Sequence, residues 1–506
     1  MILLDRQNSI SVAENISNEI AHWAQIRPNS GAICDGGKAL SFHELENALV
    51  RAQSELKELG CKSGDLVLAV GENSIGFAVF LLAAARMRLH VVLENARRVS
   101  PEIQQIIHHS EPVAQFYFHD SSLDCVGHSN FFKASIRHSS LFGEYGFIKG
   151  NGCDPYPMEA NVFAIIYTTG TTGTPKGVML THSNLLFIAR MMQQLREIKP
   201  DDQVLAILPI SHVMGLASVF LGTLYSGATV YFLPKFSPEK CLELVTKNQI
   251  TVLQGAPTMF AKLVEYIRSY QLTGFNSLRF LGSGGAPIDE NLKKDVKSIF
   301  QCDLQNGYGL TEIPSISWTR FGDVVLDDSV GLPLPGVQIQ FRNSDGALCD
   351  ADEVGELWAK GPNLMSGYFK NPKLTNEVVD KDGWFNTQDL GYINTDGRIY
   401  IVGRTKDVII RSGFKIYPLE VESALLSHPH VLHAAVLGHA ISGNEEVWAF
   451  IERDKDCLLN ADDISSHLSM LLSPYKRPSK IIFLESLPLA ANGKVLKSKL
   501  IDQFPQ

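Results

Sequence analysis

Between residues 66 and 305 the chain switches repeatedly between short apolar runs and longer segments with helical spacing. That alternation restricts its fold more than any other feature. Leu66–Val70, Val162–Tyr167, Val204–Leu208, Ala228–Leu233, Thr251–Leu253, Leu278–Leu281 and Asp303–Gln305 read as strands, and Phe77–Arg86, Asn184–Leu195, Leu216–Tyr225, Pro257–Tyr270 and Asp289–Phe300 as helices. Short runs that are apolar throughout fit strands covered on both faces. Their alternation with helices predicts an α/β chain: layered sheets with many parallel neighbours, helices on both faces, and ligand sites at the carboxyl ends of the strands. Local signals agree. Ser41-Phe42-His43-Glu44 has the spacing of a capping box. Leu45, Leu49, Ala52, Leu56 and Leu59 then follow at helical spacing, with Gly60 placed to end the helix in the left-handed region. Ser237-Pro238-Glu239 opens another helix with proline at its first position.

After about residue 320 turn signals crowd in, at Leu334-Pro335-Gly336, Ser344-Asp345-Gly346, Asp382-Gly383 and Thr395-Asp396-Gly397, between short strands such as Val337–Phe341 and Arg398–Val402. This predicts a β-rich subdomain over about 320–404. The expected organisation is a large N-terminal domain, 1–404, and a small α+β domain, 405–506.

Composition excludes several classes. The 506 residues carry 45 Lys+Arg against 54 Asp+Glu, a net charge of −9, which argues against a nucleic-acid binder. Hydrophobic residues at 45% and charged ones at 20% are ordinary globular usage, so disorder and coiled coil are excluded too. Eight cysteines are scattered without a CxxC pair and read as reduced thiols of a cytoplasmic protein. At the N-terminus Ile2–Leu4 is too short an apolar run for a signal-peptide core. From Val204 to Pro234 there is no Asp, Glu, Lys or Arg. Pro209, His212, Gly215, Gly222 and Ser226-Gly227 break that stretch into strand, loop, helix and strand rather than a membrane span.

The segment richest in chemistry is Tyr167-Thr168-Thr169-Gly170-Thr171-Thr172-Gly173-Thr174-Pro175-Lys176-Gly177, directly behind an apolar strand. Its amides, hydroxyls and lysine suit phosphate oxygens. It is not a Walker A loop, because Lys176 stands between Pro175 and Gly177. The plainer alternative is a flexible surface turn.

Thr168–Gly177 resembles the signature loop of the adenylate-forming enzymes: acyl-CoA synthetases, aryl-CoA ligases, peptide-synthetase adenylation domains and firefly luciferase. The likeness continues in order. Asn306-Gly307-Tyr308-Gly309-Leu310-Thr311-Glu312 resembles that family's Tyr-Gly-x-Thr-Glu motif, and Trp384–Asp389 its Thr-Gly-Asp motif. Gly403-Arg404-Thr405-Lys406-Asp407 resembles the segment that leads into the small domain, and Asn492-Gly493-Lys494-Val495 the terminal Gly-Lys motif.

The resemblance implies ATP, Mg²⁺ and CoA (or the phosphopantetheine of an acyl carrier protein). It also implies roles. Thr168, Thr169, Gly170, Thr171, Thr172, Gly173 and Lys176 would hold the β- and γ-phosphates. Thr311 would contact the α-phosphate and Glu312 the magnesium ion, a hard cation that takes carboxylate oxygens. Tyr308 would face adenine, with Asn306, Gly307, Gly309 and the loop Gly284-Gly285-Ala286-Pro287 alongside; Asp389 and Arg404 would grip the ribose hydroxyls, and Lys415 joins the nucleotide-contacting set. Lys494 would bridge carboxylate and α-phosphate, neutralising charge where it develops. Outside this context Lys494, near Lys497 and Lys499, reads as part of a solubilising face. The resemblance further implies that the small domain turns about Lys406 between two half-reactions. Gly413 would line the passage for the thiol arm.

Departures from the family pattern are few. Thr169 stands where serine is common, and Gln388 replaces the usual glycine before the ribose-binding aspartate. Arg86–His90 and Leu93 replace a small Ala-Gly turn and a proline. Amino-acid-activating relatives carry an aspartate where this chain has Val213, and an ammonium buried there unpaired would cost several kcal/mol. The expected substrate is therefore an aryl or medium-to-long aliphatic acid without an α-amine. Its pocket would be formed by His212, Val213, Met214, Gly215, Ser218, Val219, Gly282, Gly284, Gly307, Leu310 and Pro314. His212 is expected either to take part in catalysis or to be a packed neutral histidine. The expected activity is an AMP-forming acid–CoA ligase, with loading of a carrier protein as the alternative.

Overall fold

The computed structural model describes residues 15–150, 156–169, 175–288, 290–323, 327–441, 444–454, 457, 459–488 and 495–504. The chain divides into two compact units. One gathers the residues up to Gln254 with Leu310–Ser315 and Gly361–Glu377; the other gathers Gly255–Gly309, Ile316–Lys360 and the chain from Val378 onward.

The first unit is built on an eight-stranded sheet. Its centre is four parallel strands in the order Val162–Thr169, His90–Asn95, Leu66–Gly71 and Ala114–Phe118. Every residue of Leu66–Gly71 is buried, which is why this strand reads as an unbroken apolar run. Antiparallel strands finish both ends: Gly143–Lys149 and Ser135–Ser139 on one side, Pro175–Thr181 and then Gly367–Tyr368 on the other. Phe77, Phe80, Phe116, Phe118 and Phe142 interlock on this sheet, with ring centroids 4.7–6.5 Å apart. Further strands pair in the order Val252–Gly255, Gln203–Ala206, Thr229–Phe232, Gly31–Asp35 and Lys38–Ser41, parallel except for the last hairpin.

Helix Phe42–Glu58 starts with the expected capping box: the Ser41 hydroxyl accepts from the Glu44 N–H, and the Glu44 carboxylate accepts from the Ser41 N–H. Gly60 follows its end at φ +92°. A second box, Thr181 with Asn184, opens helix His182–Arg196.

The uncharged stretch departs from expectation. Instead of one α-helix over Leu216–Tyr225, residues Met214–Leu221 form a π-helical segment that runs into an α-helical turn, Gly222–Tyr225. A β-carbon on Gly215 would lie 2.0 Å from the Pro209 carbonyl oxygen, so only glycine lets the chain start this segment so close to the preceding loop. Among the described residues no helix is long and apolar enough to cross a membrane.

In the second unit, strand Phe280–Gly284 runs parallel to Leu304–Tyr308, which pairs antiparallel with Ser317–Trp318 and that in turn with Leu332–Pro333. Both parallel strands lie closer to the C-terminus than expected, because their ends are Gly and polar residues rather than an apolar run. The β-rich region is a four-stranded antiparallel sheet, Gln338–Arg342, Gly355–Lys360, Phe385–Ile393 and Ile399–Arg404. The last hundred residues carry a three-stranded sheet, Val431–Ile441, Asn444–Arg453 and Lys480–Leu484. Helices Pro418–Leu426 and Ala461–Leu471 contribute with it to one apolar core.

Candidate active site

In the first unit a hairpin positions the phosphate-type loop. Tyr167 pairs with Gly177, Thr168 with Lys176 and Thr169 with Pro175. Gly170, Thr171, Thr172 and Gly173 lie outside the described residues, as does Lys494. The stem is tight: a β-carbon on Gly177 would come within 2.9 Å of Ile165 and 3.2 Å of Phe369. Lys176 Nζ lies 5.7 Å from the centre of the Tyr368 ring, within cation–π range. The Tyr368 hydroxyl donates to Glu312 Oε1 at 2.8 Å, and the Glu312 carbonyl accepts from the Met365 N–H. Burial, with the neighbouring carboxylate, raises the Tyr368 phenol far above its ordinary range, so it remains a donor. The unit therefore brings together a cation, a carboxylate and a phenol that orients the carboxylate. Glu312, held on one oxygen by Tyr368, is a hard-oxygen donor of the kind a magnesium ion takes, and Lys176 supplies the positive charge a polyphosphate needs. The residues fit both. Thr311, next to Glu312, is largely buried.

His212 is held as a neutral ring. Burial pushes its pKa down, and its Nδ1 accepts from the Met214 N–H at 3.4 Å, so the remaining ring proton sits on Nε2. Val213, Gly215 and Ser218 are buried beside it in sequence, and Pro314 is buried too.

The second unit brings Tyr308, Asp389 and Arg404 together. Asp389 is 4% exposed. It accepts from the Tyr308 hydroxyl on Oδ2 at 2.5 Å and meets Arg404 Nε on Oδ1 at 2.9 Å. Burial and then Asp389 push the Tyr308 phenol well above its ordinary value. Gln388, where the family usually has glycine, sits at φ +59° with its N–H donated to Asn386 Oδ1. The backbone is in the left-handed region that glycine enters freely, and Asp389 beside it is presented to Tyr308 and Arg404. Gly307 packs flat on Trp318; a β-carbon there would fall 1.8 Å from the indole. Asn306, buried, donates its amide to the Ser329 carbonyl at 3.3 Å and its backbone N–H to the Thr319 hydroxyl, contacts that brace its strand. Gly282 abuts Phe280 and Trp318. Gly284 ends its strand, Gly285 turns at φ +83°, and Ala286 and Pro287 complete that loop. Gly309 is exposed and Leu310 half-buried on the loop toward Glu312. Thr405–Asp407, with Lys406 at its middle, is a single 3₁₀ turn. Gly413 tips an exposed hairpin at φ +83°, in which Ile410 pairs with Lys415.

Two residues escaped sequence reasoning. Tyr368 belongs to a two-residue strand with no periodic signal. Gln254 is fully buried at the end of Val252–Gly255, paired with Ala206, and among the described residues neither its carboxamide oxygen nor its nitrogen has a partner. A polar residue inside an apolar run was the available signal. Such a group costs about 1–3 kcal/mol unless something hydrogen-bonds to it.

Comparison with known proteins gives the family. The family model described as "AMP-binding enzyme" matches residues 20–369, and that of the "AMP-binding enzyme C-terminal domain" matches 420–494. A probable CoA ligase, CCL5, from Humulus lupulus is 28% identical over 99% of this chain and 95% of its own. A feruloyl-CoA synthase from an Amycolatopsis species is 30% identical over 95% of this chain and 97% of its own. Among solved structures, ATP-bound MatB from Rhodopseudomonas palustris is 29% identical and superimposes with a TM-score of 0.85 over 97% of this chain and 99% of its own. The chain belongs to the AMP-binding enzyme family, the adenylate-forming enzymes.

Proposed function

We propose that this enzyme is an AMP-forming acid–CoA ligase acting on an aryl or medium-to-long aliphatic acid without an α-amine. The observation that carries the substrate class is Val213, buried where an ammonium would need a carboxylate.

In the first half-reaction the acid's carboxylate attacks the α-phosphorus of ATP and pyrophosphate leaves. Lys176 and the hydroxyls of the hairpin hold the outgoing phosphates, Thr311 meets the α-phosphate, and Asp389 with Arg404 fixes the ribose. Glu312, braced by Tyr368, would hold the magnesium ion, whose contribution is charge neutralisation on the phosphates. Lys494 bridges the two reacting anions. Neutral His212 flanks the acid. In the second half-reaction the thiol of CoA displaces AMP after the small domain, 405–506, turns about Lys406 and brings Gly413 to the thiol passage. Activity in the cytoplasm is part of the same reading.

ATP–pyrophosphate exchange over a panel of cinnamic, benzoic, fatty and α-amino acids tests the substrate class, followed by product analysis with CoA and with a holo carrier protein. Exchange is expected with aryl or fatty acids, and thioester with CoA. An α-amino acid as best substrate overturns the acid assignment, and thioester formed only on the carrier protein overturns the acceptor.

A further inference from the structure

The stem of the Lys176 hairpin is gripped from the neighbouring strand. His90–Asn95 runs parallel to Val162–Thr169 with Val91 opposite Ala164, Val92 opposite Ile165 and Leu93 opposite Ile166. One residue beyond that last pair, the Tyr167 carbonyl accepts from Arg98 Nη2 at 3.3 Å. The same guanidinium turns Nε to Glu94 Oε2 at 2.7 Å and Nη1 to Glu102 at 3.3 Å. Glu94 is 2% exposed, and among the described residues its Oε1 has no partner. A planar fork can serve a carboxylate and a carbonyl at once only in a fixed orientation. A buried ion pair is seldom the cheapest way to fill a core, since hydrocarbon of the same volume often does as well or better.

We propose that Glu94 and Arg98 are a positioning pair for nucleotide binding: Arg98 fixes the Tyr167 carbonyl, and with it the stem that presents Thr168 and Lys176, while Glu94 fixes Arg98. The proposal rests on the reading of that hairpin as the ATP phosphate site. The far side of Tyr167 is also held, its hydroxyl lying 2.7 Å from His109 Nδ1, so the stem is clamped at both the backbone and the side chain. Burial raises the Glu94 carboxyl to about 7, with Arg98 acting against the shift and Glu102 adding to it. The groups facing the pair are thus Arg98, Glu102, Tyr167 and, through Tyr167, His109. As pH falls through 7, Glu94 takes up a proton and its hold on Arg98 weakens.

The test is calorimetric binding of α,β-methylene-ATP with Mg²⁺ to the full chain at pH 6, 7 and 8, for wild type, Glu94→Gln and Arg98→Lys. No acid or turnover is needed. Loss of a charge-assisted contact in the clamp should raise Kd about tenfold in each variant at pH 8. Glu94→Gln should also remove the part of the wild-type pH dependence that lies near 7. Thermal melting is followed in parallel. Unchanged Kd in a folded variant, a lowered melting temperature with unchanged Kd, or identical pH profiles in wild type and Glu94→Gln each overturn the proposal. Should both variants fail to fold, a wild-type Kd that is constant from pH 8 to 6 overturns it. Wild type that does not bind the analogue at all refutes the nucleotide reading of the hairpin instead.

Discussion

Replacing Asp389 by asparagine keeps its shape and removes its charge, and the structure fixes what should follow. The carboxylate is almost fully buried and takes the Tyr308 hydroxyl on one oxygen and Arg404 Nε on the other. Asparagine can still accept from Tyr308, so the lost term in the free protein is the ion pair. The Arg404 side chain is 38% exposed, so solvent screens it, and the stability cost should be only about 1 kcal/mol. Nucleotide binding should suffer more. Hydrogen bonds from ribose hydroxyls to a carboxylate are charge-assisted and contribute about 1.5–3 kcal/mol, which corresponds to a roughly 10–100-fold change in Kd. The discriminating assay is calorimetry with ATP and with 2′,3′-dideoxy-ATP. Wild type should lose about that factor when the hydroxyls are removed. Asp389→Asn should bind ATP weakly and lose little more with the dideoxy analogue. If the variant weakens both nucleotides equally, or still shows the full dideoxy penalty, Asp389 does not read the ribose and its buried contacts serve only to hold Tyr308 and Arg404.

Glu312→Gln should lower adenylate formation about 10²–10³-fold with melting unchanged, as expected for one lost preorganised electrostatic contact, while Tyr368→Phe should have a smaller effect of the same kind; early melting of Glu312→Gln would make that residue structural. Gly307→Ala should be destabilised by about 1–3 kcal/mol or more in urea titrations, because its methyl would fall on the Trp318 ring, which is itself buried. Burial, with Arg88 and His90 nearby, lowers His182 from 6.5 to about 4. The unfolded chain therefore takes up that proton first, so the stability held above pH 6.5 is lost as pH falls toward 4, by about 3 kcal/mol in all. Urea midpoints between pH 4.5 and 7.5 should show a shallower slope in His182→Gln than in wild type; equal slopes would refute the assignment.

The parallel strands were legible because burial on both faces forces an unbroken apolar run, and Leu66–Gly71 is buried at every position. Where strands end in glycine and small polar residues, as in Gly282-Ser283-Gly284, the apolar pattern stops before the hydrogen bonding does, and the strand lies farther along than the apolar run indicates. The π-helical segment at Met214 depends on the carbonyl of Pro209 crowding Gly215, a contact that hydropathy does not encode. The site divides in the same way. Phosphate, metal and ribose call for charged or hydroxyl groups, so Lys176, Glu312, Asp389 and Arg404, proposed for those contacts, stand out from their motifs. Their partners are set by the fold: Tyr368, in no motif, reaches Glu312 across 56 positions, and Tyr308, read from its motif as facing adenine, reaches Asp389 across 81, a contact the motif did not indicate. Gln388 shows how the two kinds meet. Its identity breaks the motif, and its backbone sits in the left-handed region, which glycine enters freely and which costs another residue about 1–3 kcal/mol. The Asn386 side chain accepts the Gln388 N–H, and Gln388 lies at a register shift between paired Asn386 and paired Asp389, where a bulged conformation fits. Asp389 is directed to Tyr308 and Arg404 with glutamine before it, so the strand on either side, rather than the identity of residue 388, decides where that carboxylate points.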